Sequence, residues 1–226
     1  MTNPRILSIQ VGMPKTYGIE DADDPMDRIW TTSFFKQPVK GPLWLGIESL
    51  EGNAQADLRA HGGPDKAVLS YAAAHYPDWR EELGLSNFPY GAFAENFTVE
   101  GMSEETVCIG DTYALGDARI QVSQSRGPCW KIARRWRIED LTERVLKSGR
   151  PGWYCRVLRE GEVAPGMTLE LLERPHPRFP ISQVHTVVYG SERDLAVIAA
   201  LADIPELAAK PRERLESRLA KATIAD

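Results

Sequence analysis

Asp111-Thr-Tyr-Ala-Leu-Gly-Asp-Ala-Arg-Ile-Gln-Val-Ser123 reads as two short strands, Asp111–Leu115 and Ala118–Ser123, paired across the turn Gly116-Asp117. Gly-Asp tolerates the positive backbone dihedrals that tight hairpins need. The same grammar extends outward. Ile6–Val11, Ala67–Tyr71, Phe97–Glu100, Trp153–Leu158 and Met167–Leu172 are further β-like runs, and Arg28–Lys36 with Leu43–Gly46 reads as a hairpin around Gln37-Pro-Val-Lys-Gly-Pro42. Gly, Pro and Asp separate these runs, the pattern of a closed or sandwiched β domain. Helical composition interrupts it at Ala73–Leu83, where Pro77 can sit in a first turn, and at Ile138–Lys147, stopped by Gly149. A parallel α/β sheet would need a helix between nearly every pair of strands, and these connections are too short. The expected fold is mainly β, barrel-like, with a few helices.

Three prolines fall within Arg174-Pro-His-Pro-Arg-Phe-Pro180, which suits a semi-rigid linker. Beyond it Ile181–Val188, Glu192–Leu201 and Pro205–Ala222 read as three helices, so the expected organisation is a β domain over 1–175 and a helical region over 176–226. These helices can pack on the barrel, dock a partner or join a second subunit in a homodimer, and the sequence does not choose. The 226 residues can bury a sizeable core. A net charge of -5 argues against a nucleic-acid polymer as partner, since phosphate contacts need a basic surplus. No run approaches the ~20 apolar residues that cross a bilayer. The start shows no signal-peptide core, and the three cysteines lack disulfide-framework spacing, so a reducing cytoplasm is expected.

Three segments can carry chemistry. In His61-Gly-Gly-Pro-Asp-Lys66 a turn exposes backbone N–H groups that can cradle an anion, and His61 and Lys66 would add positive charge or hydrogen-bond donors. The plainer reading is a hairpin loop with a structural histidine. Asn96, at the start of a strand, offers donors and acceptors but is equally a turn residue. The sharpest is Ser123-Gln-Ser-Arg-Gly-Pro-Cys-Trp-Lys131, which presents Cys129 beside Arg126 and Lys131. Adjacent cations favour the thiolate, which is both nucleophile and soft metal ligand. Cys108 and Cys155 lie in apolar runs and read as small core hydrophobes.

The histidines at 61, 75, 176 and 185 lack zinc-ligand spacing, and no phosphate-binding glycine motif or strand–nucleophile–helix signature is present. A papain-like hydrolase stays open, because Cys129 and His61 could meet in space.

In order along the chain, Gly52–Asp57, His61–Ala67, Ala94–Gly101, Ile109–Asp111, Val122–Lys131 and Gly149–Tyr154 together resemble the MOSC domain, the module at the carboxyl end of molybdenum-cofactor sulfurases. The particular resemblance is to its stand-alone bacterial YiiM-like branch, and it covers nearly the whole chain. It implies a β-barrel-like fold whose pocket takes the molybdenum cofactor, with Cys129 bonded to the metal or carrying transferable sulfur. By the same carry-over His61, Lys66, Asn96, Gln124, Arg126 and Lys131 line the pocket. Relatives of this branch reduce N-hydroxylated compounds, such as hydroxylaminopurines, with electrons from a flavoprotein or similar donor. That makes this chain a molybdenum-dependent oxidoreductase by expectation. A non-catalytic cofactor or sulfur carrier is the alternative, and a β domain with decayed chemistry is a third reading, opposed by retention of His61, Lys66, Arg126 and Cys129. The sulfurases' pyridoxal-phosphate domain has no counterpart here, so no pyridoxal phosphate is expected. The chain departs from the family at Ala94 (usually Gly), Asn53 (often Asp) and Ser125 (often Pro).

Overall fold

The computed structural model describes residues 3–59 and 61–225, with only the backbone for 223–225. Twelve strands form along the described chain: β1 (Arg5–Val11), β2 (Lys15–Tyr17), β3 (Trp30–Thr32), β4 (Gln37–Val39), β5 (Leu43–Leu45), β6 (Val68–Ala72), β7 (Phe97–Glu100), β8 (Thr112–Leu115), β9 (Ala118–Ser125), β10 (Trp153–Arg159), β11 (Gly161–Val163) and β12 (Glu170–Glu173). Eight make one mixed sheet in the order β12-β8-β9-β10-β6-β7-β1-β4, in which β6 and β7 run parallel. The β8–β9 hairpin closes with Leu115 opposite Ala118, and Gly116 takes the positive φ of 58° that the turn requires.

The sheet curls on itself. Residues 166–169, leading into β12, reach β1 through Ile6 N–H to the Met167 carbonyl (2.9 Å) and Gly166 N–H to the Ile6 carbonyl (2.7 Å). The curl encloses a core of Ile6, Ile9, Val68, Phe97, Ile120, Val122 and Trp153. Burying such side chains contributes about 1.5–3 kcal/mol each, and no local strand propensity approaches that sum.

One expectation fails. Arg28–Lys36 and Leu43–Gly46 do not pair as a hairpin: β3 pairs with β2, β4 with β1, and β5 with β11. Pro38 and Pro42 withhold two N–H donors from any local ladder, and β4, which carries Pro38, lies at the sheet edge, where a missing donor is tolerated. Tertiary pairing outcompetes sequence proximity here.

The helices are α1 (His75–Leu83), α2 (Lys131–Trp136), α3 (Leu141–Lys147), α4 (Ile181–Tyr189), α5 (Leu195–Ala202) and α6 (Ala209–Ala225). The first three cover one side of the curl through an aromatic cluster that includes Tyr71, Tyr76, Trp79 and Phe93. The last three build their own core around Val184, Ile198, Leu201 and Leu215. The proline-rich stretch before α4 is pinned to the barrel rather than spanning a gap. Arg174 pairs with the fully buried Asp111 at 2.7 Å, and Ile109 N–H donates to the Phe179 carbonyl at 3.0 Å.

Candidate functional site

Strand β9 ends in Ser125, and the chain then turns through Arg126, Gly127 and Pro128 to deliver Cys129 at the start of α2. Two supports fix that turn. Arg126 N–H donates to the Gly152 carbonyl at 3.0 Å, and Thr142 Oγ1, on α3, donates to the Cys129 carbonyl at 3.3 Å. The tail props it from another side. His185, on α4, bonds the Ser125 hydroxyl at 2.9 Å through Nδ1 and the Leu146 carbonyl at 2.9 Å through Nε2. The carbonyl can only accept, so Nε2 carries the proton and Nδ1 accepts from Ser125. A Cβ on Gly127 would lie 2.7 Å from the Tyr189 hydroxyl, so the turn needs glycine at this point.

The turn opens into a cavity of about 550 Å³ of empty space, part of it open to solvent. Among the sequence-predicted residues, His61, Asn96, Arg126, Cys129 and Lys131 line it. Lys66 and Gln124 do not. They line a neighbouring cleft between the His-Gly-Gly turn and residues 208–210, although the Lys66 ammonium reaches within 5.8 Å of the Tyr154 ring, which does line the cavity. Gly62 and Gly63, at φ 86° and 84°, shape that turn in a region side chains rarely enter.

Cys129 is the half-exposed thiol. Cys108 and Cys155 are buried as expected, and burial pushes the Cys155 thiol up to about 12. Asn96 is buried and already engaged: Oδ1 accepts from Leu69 N–H at 3.2 Å and Nδ2 donates to the Gln10 carbonyl at 3.1 Å. It ties β1 to β6 while forming part of the wall. His61 departs from the charged role suggested by its neighbours. Desolvation, then the charges of Lys131, Lys66 and Arg126, lower its pKa to about 4, so the ring is neutral near pH 7. A papain-like pair needs an imidazolium beside the thiolate, and this surrounding of cations opposes it.

Lys36 is the residue the sequence did not reveal. It lines the cavity, is only 9% exposed, and bonds the neutral amide Oδ1 of Asn53. Burial lowers its pKa to about 8, against a weaker raising influence of Glu95, so it still holds its proton near pH 7. Its only signal was a lone cation ending the apolar run Phe34-Phe35. Arg126 is also buried, and its Nη1 has no hydrogen-bond partner. Among the described residues no carboxylate pairs with either cation. Two buried cations without an ion pair in one cavity, one of them only weakly offset by the Glu95 charge, are expensive for the protein alone, and they fit an anionic ligand. A half-exposed sulfur beside them adds a soft donor, so the residues present suit a ligand that combines an anionic group with a thiophilic metal.

Residues 57–170 match the MOSC domain family. This chain belongs to that family. YflK of Bacillus subtilis, an uncharacterised protein, is 42% identical over 195 residues, covering 85% of this chain and 84% of its own. A protein of Gibberella moniliformis named a reductase is 37% identical over 178 residues, covering 77% of this chain but 32% of its own length. The MOSC fold assignment agrees with the crystal structure of YiiM from Geobacillus stearothermophilus, 35% identical, with a TM-score of 0.79 over 96% of this chain and 99% of that one. Among the described residues no helix is long and apolar enough to cross a membrane.

Proposed function

We propose that this MOSC protein binds the molybdenum cofactor in the Cys129 cavity and reduces N-hydroxylated compounds. The observation that carries the reading is the combination of a half-buried cysteine with two buried cations, Lys36 and Arg126, that have no ion pair among the described residues, in the same cavity. Support comes from the family match and from a relative named a reductase. When bound, the cofactor supplies two-electron redox chemistry at molybdenum.

The chain's own residues supply the rest. Cys129 offers an anionic sulfur to the metal. Arg126, whose unpartnered Nη1 is a directional donor, and Lys36 neutralise the cofactor's anionic groups. Lys131, held against the Thr31 carbonyl at 3.5 Å, adds charge at the rim. His61, neutral, can donate or accept one hydrogen bond without adding charge. Lys66 and Gln124 take part from the adjoining cleft, and Asn96 holds the wall in place. The overall reaction joins R–NH–OH, two electrons and two protons to give R–NH2 and water. The electrons come from a reduced flavoprotein or, in an assay, from reduced viologen.

Elemental analysis of protein from a host that makes the cofactor is expected to find about one molybdenum per chain. Cys129→Ser is expected to abolish viologen-dependent reduction of a hydroxylaminopurine while leaving thermal unfolding within a degree or two of wild type. Full activity in that variant would remove Cys129 from the reaction. Metal binding without turnover in the wild type would reduce the protein to a carrier.

A further inference from the structure

The cleft that Lys66 and Gln124 line joins two parts of the fold. One wall is the His-Gly-Gly turn over residues 62–66, and the other is residues 208–210 at the start of α6. Together they enclose about 450 Å³ of empty space, part of it open to solvent. Ser123 stitches the walls together. Its hydroxyl lies 2.6 Å from the Asp65 carbonyl, and its own carbonyl accepts the Ala208 N–H at 2.9 Å. Lys210 reaches from α6 to the loop before the turn, where its ammonium donates to the Arg59 carbonyl. The cleft is therefore in place before any ligand arrives, which keeps the ordering cost of binding low.

Its donors favour an anion. Lys66 and Lys210 both line it, and desolvation, then the charge of Lys210, lowers the Lys66 pKa. Asp65 lines it too, but it is paired with Arg156 at 2.8 Å, so its charge is offset. The 17-residue α6 adds its N-terminus. Arg212 N–H returns a bond to the Ala208 carbonyl at 3.3 Å, and Pro211 has no N–H. Ala209 and Lys210 therefore present theirs without an intrahelical partner, at the positive end of the helix. Gly63, at φ 84°, leaves the backbone bare: no atom lies within 4 Å of where a Cβ would stand.

A buried acceptor completes the set. Gln124 is 4% exposed, lies opposite Tyr154 in the β9–β10 ladder and lines the cleft, yet its Oε1 has no hydrogen-bond partner. An acceptor buried without a donor is costly, and a ligand that brings its own O–H relieves it. Inorganic phosphate keeps at least one P–OH near pH 7, whereas sulfate has none and a phosphate monoester has largely lost its own. We infer that this cleft is a second binding site, separate from the Cys129 cavity, which holds hydrogenphosphate between Lys66, Lys210 and the α6 N-terminus and recognises its P–OH through Gln124 Oε1. Occupied, the site ties the turn that begins at His61 to the tail helices, which is how Lys66 and Gln124 act from beside the cavity.

Calorimetric titration with inorganic phosphate and with sulfate tests the site, in a Lys36→Met background that removes a cation from the Cys129 cavity. Phosphate binding is expected to persist in that background, to fall about tenfold on adding Lys210→Gln, and to be largely retained with Lys210→Arg. The preference for phosphate over sulfate is expected to be about tenfold and to vanish with Gln124→Leu. Lys210 is exposed, so its variants test the site even if Gln124→Leu fails to fold. Equal affinity for the two anions with Gln124 in place, or phosphate affinity unmoved by Lys210→Gln, overturns the inference. So does loss of molybdenum from Lys210→Gln protein made in a host that supplies the cofactor, which would make the cleft the seat of the cofactor's own phosphate. Wild type that binds phosphate here and carries no molybdenum leaves the site standing and removes the cofactor reading.

Discussion

Lys36→Met tests whether the cavity is built around charges that only a ligand satisfies. Methionine keeps the length and apolar stem of lysine and removes the ammonium. Burial lowers the lysine from its ordinary 10.5 to about 8, which corresponds to about 3 kcal/mol of instability in the ligand-free protein at ~1.4 kcal/mol per pH unit. Removing the ammonium leaves no orphan at Asn53, whose Oδ1 keeps Gly12 N–H at 3.3 Å and whose Nδ2 keeps the Ser49 hydroxyl at 2.8 Å. The ligand-free variant is therefore expected to be more stable than wild type by about 2–3 kcal/mol at pH 7. Both native and unfolded wild type hold this proton below about 8, so the full deficit is present there. Between about 8 and 10.5 the unfolded chain binds more protons than the native one, so wild-type stability rises with pH and the gap closes. Urea unfolding at neutral pH and near 10.5 checks both the sign and the closure. Inorganic phosphate should raise the melting temperature of wild type more than that of the variant. A variant less stable than wild type at pH 7, or a gain that stays flat as pH rises, would refute the reasoning.

His61 gives the opposite end of the pH range: with its pKa lowered to about 4, stability is complete above its unfolded value of 6.5 and falls as the pH drops between the two, by roughly 2 kcal/mol after allowance for partial exposure. His61→Gln should flatten that part of the urea-unfolding profile. Ala94 sits at φ 60°, and replacing it with the family's usual glycine should relieve about 1–2 kcal/mol of backbone strain, offset by about 0.5–1 kcal/mol of glycine entropy. A small rise in melting temperature is expected, and a fall would show that the alanine methyl contributes packing that outweighs the strain. Gly127→Ala should destabilise by about 1–3 kcal/mol, because the new methyl meets Tyr189 at 2.7–2.9 Å. Adding Tyr189→Leu should recover much of that loss in a double-mutant cycle, and strict additivity would mean that the two residues do not press on each other.

Ala94 also shows how a departure from a family pattern becomes physical. The sequence marks the position as unusual, and the structure explains why glycine is common there: the backbone is left-handed beside the cavity wall. Asn53 is a similar case. An aspartate at that position would give Lys36 a hydrogen-bonded charged partner, whereas the amide offers the ammonium only a neutral acceptor.

The sequence by itself determined the β character, the β8–β9 hairpin, the three tail helices and the singling out of Cys129 from Cys108 and Cys155. Each of these is written locally, in turn residues, in helical spacing or in the polarity of a cysteine's immediate neighbours. Tertiary structure alone decided the partners of the segment around residues 28–46, because strand pairing is settled by which distant edges compete for the same N–H and C=O groups. It alone brought Lys36 into the cavity, placed Lys66 and Gln124 in the cleft beside it, and left His61 neutral. Burial and the summed field of charges from several loops set those outcomes, and neither quantity exists until the chain has folded.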